Sequence, residues 1–132
     1  MSARFSEAVR NAAVDARAAM CNNGYKRIYD GVRPASPDTA ITTQNLIVTL
    51  RYSATAYGAA VAGVATANAI ASGVAIYSPS ATATWCRNFA SDGTTVLFDE
   101  DVSTSGSDIN LANTLIVYNS TVNIDSSTLS EP

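Results

Sequence analysis

The run Leu46-Ile-Val-Thr-Leu-Arg-Tyr52 sets Leu46, Val48, Leu50 and Tyr52 against Ile47, Thr49 and Arg51. That alternation suits an extended strand with one buried face and fits no helix. The same period of two returns at residues 25–30, 81–90 and 94–102, each bounded by Gly, Pro or Ser-Asp-Gly punctuation. Ser91-Asp92-Gly93 reads as the turn of a hairpin joining residues 81–90 to 94–102. Asn119-Ser120 reads as the turn of a second, between residues 114–118 and 121–129. Pro34-Ala-Ser-Pro37-Asp38 is a rigid turn whose two prolines forbid a central strand. Short strands with turn signals at such regular spacing predict a mainly β fold, an antiparallel β-sandwich or a jelly-roll-like barrel.

One stretch departs from this period. Across residues 3–21, Phe5, Val9, Ala12, Ala13, Ala16 and Met20 gather on one face of a helix, with Ser2 as its cap and Asn22-Asn23-Gly24 as its stop. The stripe is mostly Ala, so the helix is marginal alone and must lie on its own sheet or on a partner. Residues 54–77 mix Gly58, Gly63 and Gly73 with Val64, Ile70, Val74 and Ile76 and read as irregular β. A chain of 132 residues holds one core. The expected organisation is an N-terminal helix over residues 1–24, serving as a docking arm, and a single β-sandwich domain over 25–132. Trp85, the sole Trp, is the expected core anchor beside Leu46, Val48, Leu50 and Phe89.

The chain has no His, which removes imidazole as base, shuttle or metal ligand and with it Ser-His-Asp and Cys-His chemistry and the common zinc sites. No G-x-S-x-G, phosphate-binding loop or G-x-G-x-x-G occurs. Asp99-Glu100-Asp101 is the densest acidic cluster; on a strand only Asp99 and Asp101 share a face, and two carboxylates alone hold a cation weakly. It reads as a solvated strand end. No catalytic residue, metal ligand or cofactor is expected, and the chain reads as no enzyme.

Charge is scarce and unevenly placed. Residues 1–51 carry Arg4, Arg10, Arg17, Lys26, Arg27, Arg33 and Arg51 against four acids, while the remainder has Arg87 alone against seven. Such an asymmetry suits packing between copies or on an oppositely charged lattice. The bases are dispersed and the net charge is −3, so nucleic acid is not an expected partner. Residues 57–77 are too polar for a membrane span. The first twenty residues lack an apolar export signal, so Cys21 and Cys86 are expected as free, mostly buried thiols.

Several segments together carry a likeness: Ile28-Tyr-Asp-Gly31 followed by Pro34-Ala-Ser-Pro-Asp-Thr-Ala40, Gly63-Val-Ala-Thr-Ala-Asn-Ala-Ile70, Thr82-Ala-Thr-Trp85 with Arg87, and Ser103-Thr-Ser-Gly-Ser-Asp-Ile109. Over nearly its whole length the chain resembles a group of small tailed-bacteriophage and prophage proteins encoded among virion structural genes. The resemblance implies a virion structural protein. The reading it favours is a head decoration or cement protein on the outer surface of the phage head, made in the host cytoplasm. Its partners would be the major capsid protein and further copies of itself, with Arg4, Arg10, Arg17, Arg27 and Arg33 at the interface. A tail, neck or baseplate-associated subunit is the alternative, and a carbohydrate-binding module the third.

Overall fold

The computed structural model describes residues 3–130. One helix, α1 (Glu7–Ala19), precedes eleven strands: β1 (Tyr25–Tyr29), β2 (Leu46–Arg51), β3 (Val64–Thr66), β4 (Gly73–Val74), β5 (Ser80–Thr82), β6 (Trp85–Phe89), β7 (Val96–Ser103), β8 (Ile109–Asn110), β9 (Leu115–Val117), β10 (Thr121–Val122) and β11 (Ser126–Ser130). Seven form one sheet in the order β2-β1-β6-β7-β8-β11-β3, and β10-β4 and β5-β9 form two small sheets. The chain is mainly β, as its alternation implies. The all-antiparallel arrangement is corrected, because β8 runs parallel to β7 and makes the large sheet mixed. Among the described residues no barrel closes.

The hairpin of β6 and β7 forms as its turn chemistry dictates. Gly93 takes φ +74°, a conformation open to glycine, and the Asp92 carboxylate accepts the Thr94 and Thr95 amides at 2.9 and 2.8 Å. The second expected hairpin does not form. The chain turns at Asn119, with φ 67°, but β9 pairs with β5, β10 with β4, and β11 with both β8 and β3. Ile116 and Val122 bury in the same core cluster from these different partners, so each short strand is held by burial and not by its sequence neighbour.

The cross-strand register sorts the large sheet into two faces. Lys26, Ile28, Val48, Leu50, Cys86, Asn88, Glu100 and Val102 point one way; Tyr25, Arg27, Tyr29, Trp85, Arg87, Phe89 and Asp99 point the other. On the inner face, Ile28, Val48, Leu50, Cys86 and Val102 pack with Ala75, Ala81, Ile116 and Val122 from the small sheets and their connections. The outer face is roofed by the loop after β1. Trp85 Nε1 donates to Asp30 O at 2.9 Å, and Arg87 donates to Thr39 O at 2.9 Å and Ser36 O at 3.3 Å. Every residue of β6 is therefore buried, and its apparent alternation has no solvent side. Trp85 is buried to 1% exposure, but on this outer face. Of its expected neighbours Phe89 shares that face, whereas Val48 and Leu50 belong to the opposite one.

The helix is shorter than its periodicity suggests. Ser6 is the cap, its Oγ accepting the Val9 amide at 3.3 Å; the expected cap Ser2 lies outside the described residues. The buried face is Val14 and Ala18, while Phe5, Val9 and Met20 are 60%, 49% and 58% exposed. The face expected to pack is thus the uncovered one. The burial choice follows from four polar side chains that clip the helix segment to the loop beneath it. Glu7 Oε1 accepts the Ala62 amide at 2.9 Å, Asn11 Oδ1 that of Gly63 at 2.8 Å, Asp15 Oδ1 that of Ala60 at 2.8 Å, and Asn22 Oδ1 that of Ala56 at 2.9 Å. The helix stop is made by Asn23 at φ 57°. Gly24 is needed for a different reason: a Cβ there would stand 2.2 Å from Phe89 O.

Candidate functional site: a buried lysine, asparagine and glutamate

Three polar side chains project from neighbouring strands into the dry inner face. Lys26 of β1 and Asn88 of β6 are directly opposite in register, and Glu100 of β7 stands across from Cys86, two positions along β6 from Asn88. Lys26 and Asn88 are fully buried and Glu100 is 3% exposed. Lys26 Nζ donates to Asn88 Oδ1 and to Glu100 Oε1, each at 2.8 Å. Asn88 Nδ2 donates to Glu100 Oε1 at 2.9 Å and to Phe98 O at 3.2 Å.

Aromatic hydroxyls complete the set. Tyr52 OH donates to Asn88 Oδ1 at 2.7 Å and lies 2.9 Å from Tyr57 OH. The Lys26 ammonium sits 4.9 Å from the centre of the Tyr52 ring. Burial alone would drive the Lys26 ammonium toward its neutral form; the Glu100 carboxylate at its side, together with Cys86 and Tyr57, offsets this and holds its pKa above the ordinary value. Burial pushes the Tyr52 hydroxyl well up, with Tyr57 adding to the effect, and pushes the Cys86 thiol up as well. Both remain protonated at neutral pH. Glu100 Oε2 is buried with no hydrogen-bond partner among the described residues.

An amine thus touches an amide oxygen that a phenol also polarises, and one carboxylate oxygen touches both the amine and the amide nitrogen. These are the parts of an acyl transfer: nucleophile, carbonyl with an oxyanion donor, and a proton carrier in contact with attacking and leaving nitrogens. No family model, curated protein or solved structure matches this chain. Its chemistry is therefore read from these contacts alone.

The arginines expected at an interface sit on several elements. Arg4 and Arg17 are exposed on the N-terminal segment and α1, and Arg10 is half-buried there with its Nε lacking a hydrogen-bond partner. Arg27 lies over the Phe89 ring at 4.3 Å and donates to Gly93 O at 3.0 Å. Arg33 pairs with Asp101 at 3.2 Å. The acidic cluster is not a solvated strand end. Asp99 makes a two-pronged pair with Arg87 at 2.8 and 3.0 Å, with both side chains 4% exposed, and Glu100 is the inner-face carboxylate; Asp101 alone is exposed. The sequence asymmetry of charge is partly consumed within the chain, through Lys26–Glu100 in the interior and Arg33–Asp101 at the surface. Lys26 and Asn88 were missed although a signal existed: each shares parity on its strand with a buried apolar residue, Ile28 and Cys86.

Proposed function

We propose that the protein is a structural subunit of a tailed-phage particle, a head decoration or cement protein that binds the major capsid protein and bridges its neighbours. The observation that carries this reading is a pair of uncovered apolar surfaces on different elements. Phe5, Val9 and Met20 form one, along the helix segment. Val74, Ile76, Leu115, Val117 and Tyr118 form the other, each 51–60% exposed, on the outward side of two segments whose Ala75 and Ile116 are buried in the core. A subunit that docks by two separate surfaces is suited to tie neighbours together in a repeating array. The likeness to virion structural proteins supplies the context, and a layered, sandwich-like β fold is compatible with that role. On this reading Arg4, Arg10 and Arg17 flank the apolar helix stripe and meet carboxylates on the capsid surface, and the subunit turns over no external substrate.

Purified virions separated into heads and tails provide the test. Hundreds of copies on heads, lost when Phe5, Val9 and Met20 are together replaced by Ser in a subunit that still folds, is the expected result. Absence from tailless heads with presence on isolated tails or necks would replace this reading by that of a tail component.

A further inference from the structure

Among neighbouring antiparallel strands, a lysine facing an asparagine across the ladder is ordinary at a surface and costly in a core. Here both members are fully buried, with a carboxylate in contact with each. We propose that Lys26 and Asn88 become joined by a side-chain amide bond, Nζ to Cγ, formed by the folded protein itself with release of ammonia.

The contacts bring together the groups that reaction uses. With a carbonyl bond of about 1.23 Å, a donor 2.8 Å from Oδ1 lies roughly 3–4 Å from Cγ, close to the separation of about 3–3.5 Å from which attack proceeds. The Lys26–Glu100 pair at 2.8 Å can pass a proton internally, ammonium and carboxylate becoming amine and carboxylic acid with no net charge left in the dry interior. The lone pair on Nζ then attacks Cγ, and the carbonyl π pair moves to Oδ1, where Tyr52 OH already donates at 2.7 Å and serves as oxyanion donor. Glu100 hands its proton to Nδ2, which it already contacts at 2.9 Å, and takes one back from Nζ. The Cγ–Nδ2 bond breaks, its electron pair leaves on nitrogen, and ammonia departs. One ammonium, one carboxylate and one primary amide have become one secondary amide, one carboxylic acid and one ammonia, so atoms and charge balance and no oxidant or co-reactant is needed.

The product suits the site. The new amide N–H can donate to Glu100 as the ammonium did, and its oxygen keeps the Tyr52 bond. Glu100 Oε2, unpartnered among the described residues, is available to carry the retained proton. Lys26 and Asn88 are themselves fully buried, with Leu50 opposite Lys26 on β2 and Cys86 against Glu100 and Asn88, which limits the competing hydrolysis.

The test is the intact mass of the natural chain, purified folded and then denatured, followed by peptide mapping. The expected result is a mass lighter than the sequence by one ammonia and a branched peptide in which Lys26 is attached to Asn88. A full-mass chain after prolonged incubation overturns the proposal. So does an ammonia deficit without a branched peptide, since Asn23-Gly24 can also lose ammonia by cyclising on its own backbone. Replacing Lys26 or Asn88 leaves a buried partner unmatched and can prevent folding, so Glu100→Gln, which keeps the side-chain shape, is the informative variant. Without the carboxylate, burial favours the neutral amine at Lys26, which Asn88 Oδ1 still accommodates, so the variant is expected to give the circular dichroism of the natural protein, full mass and no branch. A branched peptide at natural yield in Glu100→Gln would overturn the role of Glu100.

Discussion

Tyr29 and Trp85, opposite each other on β1 and β6, stack with ring centroids 4.7 Å apart and 17° between their planes, on the face of the sheet away from the main aliphatic core. The stack is closed by the loop after β1, whose Asp30 carbonyl accepts the indole N–H. Trp85→Ala should cost on the order of 3–5 kcal/mol through the cavity it leaves. Trp85→Phe keeps the stack and loses one hydrogen bond, for about 1 kcal/mol. Urea unfolding measures both; a natural protein whose fluorescence is already that of water-exposed indole would refute the placement.

Arg87 ties the same loop to the sheet, since its guanidinium bonds Asp99 through two nitrogens and also reaches Thr39 O and Ser36 O. Lysine cannot reproduce that fork. Arg87→Ala should destabilise by about 3–5 kcal/mol, largely because Asp99 is left buried and unpaired. In Arg87→Lys, limited proteolysis should cut first within residues 34–41. Cleavage no faster than in the natural protein would show the loop to be held by something else.

Neither thiol should react in the native state. Burial pushes the Cys21 thiol up to about 11 and the Cys86 thiol further, so at neutral pH the reactive thiolate is scarce as well as enclosed. A thiol reagent should find two equivalents after denaturation without reductant and none before. A fast native reaction at Cys21 would mean that the helix end opens readily.

Asp92 should titrate unusually low. The hydroxyl and amide of Thr95 and the amide of Thr94 lower its pKa from 3.8 to about 2. Because the folded value is the depressed one, its contribution to stability is present above the unfolded value and is lost as pH falls toward and through the folded one. Thr95→Val should move the Asp92 carboxyl resonance midpoint back toward 3.8 in an NMR titration. An unchanged midpoint would assign the depression to the backbone amides alone.

Much of this architecture is written in local pattern. β1 and β2 lie where residues 25–30 and 46–52 alternate, and Ser91-Asp92-Gly93 turns where its side chains demand. Pattern fails where a second layer intervenes. Trp85 reads as buried, but parity cannot say which face of a strand is the core when a loop roofs the other. The helix stripe of Phe5, Val9 and Met20 reads as the packing face because it holds the larger apolar groups, whereas packing was decided by Glu7, Asn11, Asp15 and Asn22 reaching loop amides. Lys26, Asn88 and Glu100 sit on three strands, and only the β1–β6–β7 pairing makes them neighbours. A polar side chain on an inward position is a visible anomaly in each strand alone; its meaning appears only in their register.

The clip between helix and loop has a consequence for solvent. The amides of Ala56, Ala60, Ala62 and Gly63 have their hydrogen bonds to side chains of the helix segment, so deuterium reaches them chiefly when that segment lifts away. Four peptide hydrogens in a loop thus become a clock for an element elsewhere in the chain. If the helix is clamped in an assembled particle, that clock should slow at all four positions together.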